Sequence, residues 1–240
     1  MIYVISDLHG IYDRYLKVIE QLQDKDELYV LGDCIDRGKD GVKILLDIKN
    51  RENVHLILGN HELLFLESVV PVVNGTISME EITDTDDFDL WMYNGGYSTY
   101  KDMASKNIIF DMFKYIYEEV PLYKIIELNN EKIYLGHATV LENYEEFNGI
   151  SLSDYLNAEL PYKVVFDSVW NSPFKKPLHL ERFNFDKYVF GHKYVQQFYT
   201  QEMLVRGNMY DIDGGCALGI NENTSVILLC LDTMKVQYIR

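Results

Sequence analysis

Cysteine is scarce and poorly spaced for structural work. The three in the chain, Cys34, Cys216 and Cys230, form an odd set with no C-x-x-C pair, which argues against a disulfide framework and a zinc-thiolate site. Cys34 reads as a small, semi-buried residue after a strand, because no neighbour would activate its thiol. Positive charge is also short: 22 Lys and Arg against 38 Asp and Glu leave a net charge of −16. That is the wrong sign for general binding to a nucleic-acid duplex, which sets Lys and Arg against phosphates. No apolar run approaches a membrane span, and the opening residues Met1 to Asp7 lack a basic start and a small-residue cleavage site. A cytoplasmic location without membrane contact is therefore expected. Repeats, low-complexity tracts and linkers are absent as well, so one domain, 1–240, is expected.

What is present is a core-forming composition, 48% hydrophobic over 240 residues, arranged in a β-α-β-α-β pattern. Ile2 to Ile5 predicts a strand. Tyr15, Leu16, Val18, Ile19 and Leu22 have helical spacing, and Leu28 to Leu31 predicts a second strand. Val42, Leu45, Leu46 and Ile48 then suggest a short helix, Val54 to Leu58 a third strand, and a further helix starts near Glu62. From about 68 to 120 the pattern turns irregular and then helical, as expected of a helical cap inserted between halves of the sheet. Its acidic run, Glu80, Glu81, Asp84, Asp86, Asp87 and Asp89, reads as a solvated loop or helix start. Strands return at Tyr123 to Leu128, Lys132 to Leu135, Tyr188 to Phe190, Ser225 to Leu231 and Lys235 to Ile239. The expected class is α/β, with polar loops at the carboxyl ends of strands, where open α/β sheets bind ligands.

Four clusters follow predicted strands: Asp7-Leu8-His9-Gly10; Gly32-Asp33-Cys34-Ile35-Asp36-Arg37-Gly38; Gly59-Asn60-His61-Glu62; and the pairs Gly136-His137 and Gly191-His192. Carboxylate, amide and imidazole donors suit divalent manganese, iron or zinc, and glycine lets backbone approach a ligand closely. A metal or phosphate site is the natural reading of their conjunction. D-x-H-G, G-D-x-x-D-R-G, G-N-H-E and two later G-H pairs resemble the calcineurin-like metallophosphoesterase superfamily, in particular its bacterial serine/threonine phosphoprotein phosphatase branch. Asp213-Gly214-Gly215 resembles, less specifically, the late D-x-G segment of bacterial members. Gly95-Gly96-Tyr97-Ser98-Thr99 resembles their G-G-x-x-T cap element.

The resemblance implies a four-layer αββα sandwich with a dinuclear centre at the sheet edge. It makes Asp7 and His9 ligands of one metal, Asp33 the bridge, and Asn60, His137 and His192 ligands of the other, with manganese expected first and iron or zinc as alternatives. It further implies attack by a metal-bridging hydroxide, with His61 as general acid, Asp36 orienting its ring, and Arg37 clamping phosphate oxygens. The duller readings are a surface ion pair for Asp36 and Arg37, and a helix N-cap for Asn60. Glu62 reads as a structural helix-start charge, and His55 and His179 as satisfied or exposed. One departure concerns the second phosphate-binding arginine of a W-x-R segment: Trp170-Asn171-Ser172 offers none, and Arg182 or Arg206 would have to substitute. The expected substrate is phosphoserine or phosphothreonine in a protein. The alternative is a dinucleoside polyphosphate, whose base Trp91, Tyr93 or Tyr97 would stack if they are not core residues. A non-catalytic scaffold is a third possibility, raised by the missing arginine.

Overall fold

A computed structural model describes residues 1–140, 148–149, 151–153 and 183–240. Trp170, Asn171, Ser172, His179 and Arg182 lie outside the described residues. The chain opens with β1 (Ile2–Ile5), α1 (Tyr12–Ile19), β2 (Glu27–Leu31), α2 (Gly41–Lys49) and β3 (Val54–Ile57). The three strands pair in parallel, Ile5 opposite Val30 and Val30 opposite Leu56. Helices α3 (Asn60–Val73), α4 (Asp86–Tyr93), α5 (Tyr97–Lys106) and α6 (Ile109–Glu119) follow, with a 3-10 turn at Met79–Asp84. The later strands are β4 (Tyr123–Leu128), β5 (Glu131–Gly136), β6 (Lys187–Phe190), β7 (Leu204–Arg206), β8 (Met209–Asp211), β9 (Val226–Cys230) and β10 (Lys235–Ile239). They complete two five-stranded sheets, β10-β9-β1-β2-β3 and β4-β5-β6-β8-β7. Helices flank this pair of sheets, as the α/β sandwich reading expects.

Strand alternation builds the layers. Val4, Leu31, Ile57, Ile227 and Leu229 of the first sheet join Ile133, Leu135 and Val189 of the second in one apolar cluster between the sheets. Their neighbours Ile5, Val30, Leu56 and Leu228 turn the other way, into the cluster that contains the helices. Both faces are buried, so these strands read as continuous apolar runs. On the outer face of the second sheet, Tyr134 contacts Tyr123, Phe190 and Tyr188 at ring-centroid distances of 5.1, 6.0 and 6.3 Å.

Some expectations need correction. α1 stops at Ile19, and Leu22 follows it in a turn where Leu22 N donates to Ile19 O. Leu22 still packs on the core, so apolar spacing outlasts the helix. The hairpin β7–β8 went unpredicted because its strands are three residues each. The acidic run does lie at helix starts, as expected: it divides between the 3-10 turn and the first turn of α4, where Thr85 Oγ1 accepts from Phe88 N and the carboxylates face a helix amino terminus. Cys34 is fully rather than partly buried, and all three cysteines are free thiols.

Candidate metal centre and active site

The carboxyl ends of β1, β2 and β3 lead to Asp7, Asp33 and Asn60, and those of β5, β6 and β8 lead to His137, His192 and Asp213. Both sheets therefore feed one edge. The close approach is enforced at Gly191: a Cβ there would overlap both Asp7 Oδ2 and Ser6 Oγ. Asp7 Oδ2 instead accepts the His192 backbone N–H at 3.0 Å. Asp7, His9, Asp33, Asp36, Arg37 and His192 all have positive φ, between 42° and 73°. Each such non-glycine residue costs on the order of 1 kcal/mol, strain of a kind that concentrates at functional sites.

Two donor groups form here, His9 with Asp33 and His61, and Asp33 with His137 and His192, the donor atoms of each lying within 4.8 Å of one another. Asp33 belongs to both. Asn60 Oδ1 lies 2.9 Å from His137 Nε2 and 2.9 Å from His192 Nδ1, so it closes the second group. Asp7 stands beside these groups, on the backbone of His192. All six sequence-predicted ligands are thus at one edge, and the structure adds the imidazole of His61 to the first donor group.

The protonation states suit cations. His137 Nδ1 is 2.7 Å from Leu31 O; a carbonyl only accepts, so Nδ1 carries the proton and Nε2 keeps its lone pair for a ligand. Burial pushes His9 down to about 3, with His61 adding to the effect, and lowers His137 and His192 as well. Burial raises Asp7 well above the usual carboxylate range, helped by Asp213 and Asp33, and lifts Asp213 to about 7. Neutral imidazoles, an amide oxygen and crowded buried carboxylates make a donor set that fits two divalent cations.

Beside this set stands a buried imidazole–carboxylate pair. His61 Nδ1 is 2.8 Å from Asp36 Oδ2. Burial works against charge on His61, but Asp33 and Asp36 outweigh it and raise the ring's pKa. Arg37 Nη2 comes to 3.4 Å from His61 Nε2 and is otherwise exposed. Asp36 is fully buried and also accepts from Trp91 Nε1 at 2.9 Å, so the surface ion pair is excluded. Its backbone N donates to Thr99 Oγ1 at 3.0 Å, Arg37 N donates to Gly95 O at 2.9 Å, and Ser98 Oγ donates to Gly38 O at 2.8 Å. The Gly95–Thr99 element of the cap therefore grips the Asp36–Gly38 loop. Gly95 has φ +98°, and a Cβ there would meet Arg37 Cγ at 2.9 Å.

Several residues differ from their sequence readings. Trp91 is fully buried among Phe65, Phe88 and Tyr100, so it cannot stack a base; Tyr93 and Tyr97 are 90% and 65% exposed. Gly59 caps α3 and Asn60 is its first residue, so Asn60 is not the N-cap. Glu62 is structural but fully buried: its carboxylate accepts from the backbone N–H groups of Asp33, Cys34 and Gly59 at 2.8, 2.9 and 3.1 Å. Burial and Asp33 lift it to about 7. His55 pairs with Glu27. Arg206 pairs with Met209, at the end of β8 opposite Asp213, and lies over Phe198, so it does not replace the missing arginine. Trp91 and Thr99 were missed as supports of the site; their signal was the G-G-x-S-T element with a tryptophan four residues before it.

A sequence profile of calcineurin-like phosphoesterases matches residues 1–196. The symmetrical bis(5'-nucleosyl)-tetraphosphatase of Salmonella typhimurium is 38% identical over 68 residues, 27% of this chain and 24% of that protein; the protein of the same name from Salmonella enteritidis gives the same figures. The match thus spans about a quarter of the length of these curated relatives. A metallophosphoesterase structure from Sphaerobacter thermophilus has TM-score 0.54 at 14% identity, covering 99% of this chain and 88% of that one. The cold-active protein-tyrosine phosphatase of a psychrophilic Shewanella has TM-score 0.53 at 16% identity, covering 100% and 80%. At such identities the likeness is one of fold.

Proposed function

This chain belongs to the calcineurin-like phosphoesterase family, and on that premise we propose that it is a dinuclear metal-dependent phosphatase. The observation that carries this reading is Asp33, shared by two donor groups with His61 and Arg37 alongside. Asp7, His9 and Asp33 would hold one cation, and Asp33, Asn60, His137 and His192 the other. When bound, two such cations supply Lewis-acid charge and a water acidic enough to attack near neutral pH.

The chain's own groups do the rest. Arg37 is the exposed cation at the rim, and its planar fork is suited to two phosphate oxygens at once. His61 gives a proton from Nε2 to the departing alkoxide, with Nδ1 fixed by Asp36 so that the ring can turn neither away nor over. Asp36 in turn is fixed by Trp91 and Thr99. Phosphoserine and phosphothreonine side chains are the first substrate reading, supported by the loop motifs and by the general acid that their alkoxides require. Dinucleoside polyphosphates are the second, supported by the similarity to the Salmonella tetraphosphatases.

The test is hydrolysis of a phosphothreonine peptide and of diadenosine tetraphosphate by manganese-loaded protein, with a chelator control. Chelator-sensitive turnover of either is expected, and the higher kcat/KM assigns the class. Turnover indifferent to chelation, in protein verified to be metal-free, would sink the metal-centre reading.

A further inference from the structure

Two neighbouring cavities lie beside the metal edge. The first, about 290 Å³, lies between the loops after β1 and β2 and the 216–220 segment, and its lining includes His9, Arg37, Tyr12 and Ile220. The second, about 570 Å³, lies between α2 and α5 and is lined by Lys43, Lys101 and Tyr97. Both include Lys39 and Asp40, so a ligand leaving the site past Arg37 passes Lys39 before it reaches the second cavity.

The charge balance of this groove inverts that of the chain. Acids outnumber bases 38 to 22 overall, yet Arg37 and four lysines line the two cavities against three aspartates. Asp102 and Lys106 pair with each other, which leaves Arg37 and three lysines against Asp13 and Asp40. Lys43 sits over the Tyr12 ring at 3.6 Å. Lys39 and Lys101 are exposed and have no carboxylate partner among the described residues. On a chain of −16, such a strip attracts anions that the remaining surface repels. A phosphoserine leaves as a neutral alcohol and has no use for cations beyond the scissile phosphate. A leaving group that itself bears phosphate does.

We propose that the groove from Arg37 over Lys39 to Lys101 is a leaving-group subsite that selects substrates whose expelled portion carries further phosphate, as in a nucleoside polyphosphate. The proposal rests on the metal-centre reading above and chooses between its two substrate classes. Tyr12 and Ile220 give the first cavity apolar walls beside the charged line, which suits a nucleoside attached to a phosphate chain.

The test compares wild type, Lys39→Ala/Lys101→Ala and Lys39→Arg/Lys101→Arg, all manganese-loaded, on diadenosine tetraphosphate and p-nitrophenyl phosphate, with inorganic tripolyphosphate as inhibitor of p-nitrophenyl phosphate hydrolysis. For the alanine pair, the ratio of kcat/KM for the dinucleotide to that for p-nitrophenyl phosphate is expected to fall tenfold or more, through KM. Tripolyphosphate inhibition should weaken in parallel, and the arginine pair should restore both. An unchanged ratio, or wild type that hydrolyses p-nitrophenyl phosphate but is neither inhibited by tripolyphosphate nor active on the dinucleotide, overturns the subsite alone. Wild type inactive on both substrates overturns the metal-centre reading and the subsite with it.

Discussion

At the scale of single residues, the arrangement turns on one buried carboxylate. Asp36 Oδ2 accepts from both His61 and Trp91, while its Oδ1 has no hydrogen-bond partner among the described residues. One oxygen of the carboxylate thus serves both the imidazole and the indole. His61→Asn is expected to lower kcat by about 10²- to 10⁴-fold on a phosphothreonine peptide. The loss should be much smaller on p-nitrophenyl phosphate, whose phenolate leaves without a proton; equal losses on both would remove His61 from the acid role. Asp36→Asn should move the alkaline limb of the rate profile to lower pH, because a group that raises the ring's pKa has been removed and the protonated acid is lost sooner as pH rises. The candidate ligands and this pair are legible in the sequence because each carries chemistry and sits in a short glycine-containing motif. Trp91 was not: an aromatic residue in a helical stretch looks the same whether it fills a core or also points its N–H at a carboxylate. Glu62 reads in the sequence as a charge at a helix start, with no sign that four backbone N–H groups, those of Asp33, Cys34, Ile35 and Gly59, converge on it.

At the scale of elements, the cap is more than a cover. The turn between α4 and α5 and the first turn of α5 hold the loop after β2 by three hydrogen bonds, through Gly95 in the former and Ser98 and Thr99 in the latter. Gly95→Ala puts a side chain where φ is +98° and Arg37 Cγ is 2.9 Å away. It is expected to destabilise the fold by about 1–3 kcal/mol and to raise KM for p-nitrophenyl phosphate severalfold by displacing Arg37. Urea denaturation and steady-state kinetics check both parts, and a variant with native stability and native KM would show that the turn does not position the arginine. The β-α-β-α-β opening was readable because parallel strands buried on both faces make unbroken apolar runs. The three-residue strands of the β7–β8 hairpin hold too few side chains to show a period, and only Gly207-Asn208 between them hinted at a turn.

At the scale of the whole molecule, the site gathers negative charge that the fold alone does not balance. Asp213 and Glu62 titrate at about 7 in the folded chain, and Asp7 is raised too, against about 4 for such groups when unfolded. Between those values these acids keep protons that the unfolded chain has lost, a contribution to stability that falls as pH rises from about 4 to 7; His9, His137 and His192, held low by burial, act in the opposite sense, but only up to the ordinary imidazole range of about 6.5. Asp33 is held low by His137, His61 and His9 against the push of burial, and its opposite contribution is lost only in stronger acid. A bound divalent cation would supply the missing positive charge. Thermal melts with and without chelator should therefore differ little at pH 5 and widely at pH 8, the loaded protein melting higher; equal gaps at the two pH values would contradict this account.

Gly191 brings the β6 loop onto Asp7 of the β1 loop, and donors from strands of both sheets meet at that seam. Asp7, His9 and Asp33 all follow strands of the first sheet, whereas the group of Asp33, Asn60, His137 and His192 draws on both sheets. A molecule folded in one half only would be silent rather than feeble, so a measured turnover number counts complete molecules, and the ratio of bound metal to protein becomes an assay of foldedness as much as of affinity.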